Sequence, residues 1–152
     1  MKQKDRAPDF TLPDDDGEPR RLSELLRSGP VVLFFYPAAM TPGCTAETCH
    51  FRDLASEFAE LGAQPVGVSP DPVDRQRHFS EAHGIGFPLL SDVDGTVAAQ
   101  FGVRRGFGPL RTKRHTFVID TDRTILAVIR SEFRMSVHAD KALDVLRARK
   151  GA

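Results

Sequence analysis

Val31-Val-Leu-Phe-Phe-Tyr36 is an unbroken run of β-branched, aliphatic and aromatic residues, with Gly29-Pro30 before it and Pro37 after it. A strand that alternates apolar and polar residues can leave one face in water. A strand without a polar position has to be covered on both faces. The run therefore predicts the central strand of a sheet layered between helices. It is far too short to cross a bilayer, which takes about 20 residues.

The rest of the chain supplies the layers. Asp9 to Pro13 alternates and reads as a short strand, followed by the turn Asp14-Asp-Asp-Gly17. Ser23 to Arg27 reads as one or two helical turns with Ser23 as N-cap. A long helical pattern runs from about Gly43 to Leu61, with Phe51, Leu54, Ala55, Phe58 and Leu61 on one stripe and Gly62 just beyond its end. Pro65 to Ser69 is the next strand. Asp71 and Pro72 then read as the cap and first residue of a helix that reaches His83 and stops at Gly84. Phe87 to Leu90 reads as a strand, Gly95 to Phe101 as a short helix, and Gly102 to Arg114 as a loop. Thr116 to Ile119 and Ile125 to Ile129 pair as strands around the turn Asp120 to Arg123, and Ala139 to Arg149 forms the closing helix. This order predicts an α/β fold with a central mixed β-sheet flanked by helices on both faces. One domain over residues 1–152 is expected, with enough chain to bury a core without a disulfide or a metal.

Charge narrows the partners. Lys plus Arg and Asp plus Glu both number 21, so the chain lacks the basic excess of a nucleic-acid binder. One stretch is locally basic, with Arg104, Arg105, Arg111, Lys113 and Arg114, and it reads as a solvated loop that delivers Arg114. Met1 to Phe10 is charged and carries no apolar leader, so a cytoplasmic protein without a membrane partner is expected. There, two cysteines point to redox or metal chemistry and not to a permanent staple.

Thr41-Pro42-Gly43-Cys44 fits N-cap, N1, N2 and N3 of the long helix. Cys44 would then sit among free backbone N–H groups at the positive end of the helix dipole, where a thiolate is favoured. The bland alternative is a small buried hydrophobe. Cys49 lies five residues further on. In an ideal helix that spacing puts the Cα atoms roughly 8 to 9 Å apart, whereas a disulfide rarely tolerates more than about 7 Å. Either Cys49 is inert, or the first turns of the helix unwind during turnover. Cys44, Cys49 and His50 fall short of the four ligands a zinc site needs, and His78, His83, His115 and His138 are scattered as surface or packing residues, so no metal is expected.

Phe35-Tyr-Pro-Ala-Ala-Met-Thr-Pro-Gly-Cys-Thr-Ala-Glu-Thr-Cys-His-Phe-Arg-Asp53 closely resembles the active-site segment of peroxiredoxins. The second cysteine five residues after the first is the mark of the peroxiredoxin Q, or bacterioferritin comigratory protein, group. Ala7 to Leu12 and Arg114 to Asp120 extend the resemblance over nearly the whole chain. It implies a thioredoxin-like fold with an N-terminal β-hairpin extension. It also implies a thiol peroxidase that acts on hydrogen peroxide and organic hydroperoxides without a cofactor, is recycled by thioredoxin, and works as a monomer. By the same resemblance Cys44 is the peroxidatic cysteine and Cys49 the resolving cysteine, which forms an intramolecular disulfide with it. Thr41 orients the peroxide and contacts the thiolate, and Pro37 shields the sulfur. Arg114 stabilises charge, and Glu47 orients Arg114. Ala38-Ala39-Met40 departs from the Lys-Asp-Asp common in that group, which bears on substrate preference. A metal-binding or relay module and a general disulfide oxidoreductase are the competing readings. The missing Cys-x-x-Cys stands against the oxidoreductase.

Overall fold

The computed structural model describes residues 1–106 and 112–151. Its centre is β3 (Val31–Phe35), buried along its whole length. Strand β4 (Gln64–Ser69) pairs with β3 in parallel, and β5 (Leu89–Ser91) pairs with β4 in parallel. On the other side, β6 (His115–Ile119) and β7 (Ile125–Arg130) add antiparallel strands, giving the order β5-β4-β3-β6-β7. A separate hairpin, β1 (Thr11–Pro13) with β2 (Pro19–Arg21), precedes this sheet. The mixed sheet and the N-terminal hairpin are as expected.

The apolar run explains the layers residue by residue. Val32, Phe34 and Tyr36 face one core, built with α2 (Pro42–Asp53), α3 (Ala55–Glu60), α4 (Val73–His83) and α6 (Ser136–Lys150). Val31, Leu33 and Phe35 face the other, closed by α1 (Leu22–Leu25), a short 3-10 turn (Leu26–Ser28) and α5 (Thr96–Gln100). Period-two alternation sends successive side chains to opposite faces, so one strand seeds both cores. Gly67 of β4 lies beneath the aromatic residues of the first. A Cβ there would come within 2.8 Å of Leu89 Cδ2 and 3.0 Å of both Phe34 and Tyr36. Only glycine lets the strand lie that close.

Several expected boundaries are corrected. The long helix is interrupted at Leu54 (φ −99°, ψ 10°), where its amide is shared between the carbonyls of His50 and Phe51. Ser23 is not an N-cap: it lies inside α1, and its amide and hydroxyl bond to the carboxylate of Asp9 at 2.9 and 2.8 Å. Pro72, not Asp71, occupies the cap position of α4, and the Asp71 side chain is drawn elsewhere. The third parallel strand is Leu89–Ser91, two residues later than expected at its start. The closing helix begins three residues early, at Ser136. Arg111 of the basic stretch lies outside the described residues.

Candidate active site

The backbone of β3 continues into Tyr36, whose N–H donates to the Val68 carbonyl at 3.0 Å, and the buried Pro37 then turns the chain away from the sheet. Thr41 takes the extended conformation of an N-cap (φ −84°, ψ 152°), Pro42 is the first helical residue, and the Thr45 N–H donates to the Thr41 carbonyl at 2.9 Å. Cys44 is therefore the third residue of α2, as the spacing predicted. The earliest amides of an α-helix have no carbonyl within it to bond, and those of Gly43 and Cys44 fall in that class. The Thr41 hydroxyl does not cap the helix. It donates to the Ala38 carbonyl at 2.8 Å, and no hydrogen bond joins it to Cys44 among the described residues.

Arg114 closes the site from the start of β6. Its Nη2 donates to Cys44 Sγ at 3.2 Å, and its Nη1 donates to Glu47 Oε1 at 2.7 Å. Glu47 reaches this position because it lies three residues after Cys44, on the same helix face. Its carboxyl is completely buried. Burial pushes Glu47 up to about 8, and the neighbouring guanidinium pulls the other way without cancelling the shift. Burial also opposes the charge of Arg114, but Glu47 and the Cys44 sulfur hold the guanidinium above its ordinary range. The planar fork of arginine allows both bonds at once, which a lysine ammonium would not reproduce.

Two further residues that the sequence did not single out complete the surroundings. Glu132 accepts from the backbone N–H of Arg114 at 2.8 Å and from Arg105 Nη2 at 2.7 Å, fixing where β6 begins. His138, fully buried on α6, lies with Nε2 3.6 Å from Glu47 Oε2, an oxygen without a hydrogen-bond partner among the described residues. Burial lowers its pKa, which favours the neutral ring. With Nε2–H donating to the Ser131 carbonyl at 2.8 Å, Nδ1 accepts from the Thr116 hydroxyl at 2.8 Å. His138 was expected among the scattered surface or packing histidines, and its place behind Glu47 is a tertiary fact. A Cβ on Gly43 would lie 3.1 Å from Met135 Cε and 3.4 Å from Arg114 Nη2, so the ends of both side chains pack close to the helix start.

Cys49 is half-buried, Cys44 is fully buried, and both thiols are free. The helix between them is intact, so the spacing argument stands: roughly 8 to 9 Å between Cα atoms is too far for a disulfide. Beyond Cys49 the helix is anchored. His50 Nε2 pairs with Asp140 Oδ1 of α6 at 2.8 Å, and Phe51 stacks on Phe34 (centroids 4.2 Å, planes 12° apart) and on Phe58. No cluster of three His, Cys, Asp or Glu able to hold a metal occurs among the described residues, and none of their helices is long and apolar enough to cross a membrane.

The AhpC/TSA family profile matches residues 4–128. A Mycobacterium tuberculosis protein named as a peroxiredoxin is 66% identical over 150 residues, covering 97% of each chain. The chain belongs to the peroxiredoxin family. Peroxiredoxins are thiol peroxidases, and the sheet and helices described above are their thioredoxin fold. The crystal structure of peroxidoxin BcpB from Mycobacterium tuberculosis superposes with a TM-score of 0.94 at 65% identity, covering 97% of each chain. The bacterioferritin comigratory protein of Xanthomonas campestris, described with alkyl peroxide reduction activity, gives 0.84 at 32% identity, covering 92% of this chain and 91% of its own. This peroxiredoxin thus has relatives in the bacterioferritin comigratory group that its Cys44 and Cys49 spacing suggested.

Proposed function

We propose that the chain reduces hydrogen peroxide and organic hydroperoxides in two chemical steps, with Cys44 as nucleophile and Cys49 as resolving thiol. The Cys44 thiolate attacks the terminal peroxide oxygen. The O–O bond breaks, the sulfur becomes a sulfenic acid, and the alkoxide leaves and takes a proton to become an alcohol or water. The Cys49 thiol then attacks the sulfenic sulfur, which releases water and forms the Cys44–Cys49 disulfide. An external dithiol, with thioredoxin the reading favoured, returns both thiols. The single observation that carries this account is the 3.2 Å hydrogen bond from Arg114 Nη2 to Cys44 Sγ, at the third residue of a helix. A guanidinium and a helix N-terminus both favour negative charge on that sulfur and on the transition state. Glu47 holds the guanidinium in place, Pro37 covers the sulfur, and Thr41 orients the peroxide. A monomer acting in the cytoplasm suits an internal resolving cysteine.

The test is thioredoxin-coupled peroxide consumption by the wild type and by Cys44→Ser and Cys49→Ser. The first variant is expected to be inactive and the second to turn over weakly. Substantial turnover by Cys44→Ser would end the proposal.

A further inference from the structure

The loop between β3 and α2 carries Pro37 and Thr41, and its shape is not one the chain takes unaided. Met40 has φ 68°, the left-handed region that a side chain with a Cβ disfavours by about 1 kcal/mol or more. The Ala38–Ala39 peptide shows what holds the loop. Its carbonyl accepts the Thr41 hydroxyl at 2.8 Å, and its N–H donates to Asp71 Oδ2 at 2.6 Å. One peptide plane therefore joins Asp71 to the Thr41 side chain.

Asp71 is itself held by a buried chain of hydrogen bonds that runs back to the sheet. Its Oδ2 also accepts the Ser69 hydroxyl at 2.6 Å. Ser69 Oγ accepts from Gln76 Nε2 at 2.9 Å, and the same amide nitrogen donates to the Leu90 carbonyl at 2.8 Å. Gln76 Oε1 accepts the Tyr36 hydroxyl at 2.6 Å. Tyr36, Ser69 and Gln76 are buried, so each of these groups needs the partner it has. On the outer side, Arg75 Nε lies 3.4 Å from the other Asp71 oxygen. Asp71 lies just past the end of β4, the neighbour of β3, and its carboxylate reaches the loop that follows β3.

We propose that Asp71 is a positioning residue for the peroxidase reaction, acting through the Ala38–Ala39 peptide to fix the Thr41 hydroxyl. The inference rests on the proposed function. A hydroxyl that donates its one proton to Ala38 keeps its lone pairs to accept from the O–H of a hydroperoxide. Without Asp71, the peptide plane is free to rotate, its carbonyl leaves Thr41, and the hydroxyl turns to other rotamers. Misplacing a group that orients a substrate by about 1 Å can cost on the order of 100-fold in rate. Asp71 touches neither the peroxide nor the sulfur, so its effect has to pass through Thr41.

A double-mutant cycle of Asp71→Ala and Thr41→Val tests this. Its readouts are the single-turnover rate constant for Cys44 oxidation by hydrogen peroxide and, on the same thiol, the rate of alkylation by iodoacetamide. Alkylation does not need Thr41 and reports general damage to the site. Asp71→Ala is expected to slow peroxide reduction about 10- to 100-fold, with little effect on alkylation. In the Thr41→Val background the same change should add no more than about twofold. Asp71→Asn, whose carbonyl oxygen can accept both bonds, should recover most of the rate. Should Asp71→Ala fail to fold, Ser69→Ala, which loosens the carboxylate without emptying its site, is taken through the same cycle and must couple to Thr41→Val in the same sense. Equal effects in the two backgrounds, or peroxide and alkylation rates falling together, would overturn the inference. A wild-type protein that consumes no peroxide with a dithiol would instead overturn the proposed function.

Discussion

Replacing Glu47 by glutamine removes the titrating group at the heart of the site while keeping its shape and an oxygen for Arg114. In the wild type the carboxyl is raised from its ordinary 4.5 to about 8 by burial. Between those values the folded chain holds a proton that the unfolded chain has released. Unfolding free energy therefore falls as pH rises through that window, and Glu47 makes its full contribution only below about 4.5. The slope for one proton is at most about 1.4 kcal/mol per pH unit. From pH 5 to pH 8.5 the accumulated loss is thus on the order of 4 kcal/mol. Glu47→Gln has no such loss, and every other titrating group is common to the two proteins, so their difference isolates the carboxyl. Urea unfolding of the reduced proteins, followed by circular dichroism at several pH values, measures it. The variant should gain on the wild type steadily from pH 5 to pH 8.5 and no further above that. A pH-independent difference would refute the reasoning, because Glu47 would then titrate alike folded and unfolded. A difference of opposite sign would mean that Arg114, and not burial, dominates the carboxyl.

Arg114→Ala removes a charge-assisted hydrogen bond of about 1.5–3 kcal/mol, so the second-order rate constant with hydrogen peroxide should drop roughly 10- to 100-fold, and an unchanged rate would remove Arg114 from the reaction. Cys49→Ser should consume one equivalent of peroxide and stop at a sulfenic acid that dimedone labels on Cys44; a variant that cycles like the wild type with thioredoxin would exclude Cys49 as the resolving thiol. Oxidation should speed amide exchange from Cys44 to His50 and leave the residues after Phe51 little changed, because the stacked Phe34, Phe51 and Phe58 rings anchor the rest. Equal protection of α2 in both redox forms would contradict the bond geometry.

Local features were legible in the sequence. The apolar run from Val31 to Tyr36 announced a strand covered on both faces, and Thr41-Pro42-Gly43 placed Cys44 at the third helical residue, because both depend only on neighbouring residues. Partners distant along the chain were not. Asp9 takes the role expected of Ser23 from 14 residues away, and Asp71, which resembles a cap for α4, is drawn to the Ala39 amide 32 residues away. The hydrophobic stripe continues through Leu54, so periodicity could not reveal the break there. Arg114 and Glu47 came from the family resemblance. His138 and Glu132 carry no spacing signal, and only the packing of α6 and the end of β7 against β6 brings them to the site.

The central claim is that Cys44 takes the oxygen and Cys49 closes the bond within one chain. Peptide mass spectrometry after treating the reduced protein with one equivalent of hydrogen peroxide tests it most directly. The account predicts a peptide pair joined between Cys44 and Cys49 in a monomer on a non-reducing gel, and no such pair in Cys44→Ser. Recovery of Cys44 as an unmodified thiol, or a disulfide-linked dimer as the main product, would contradict it.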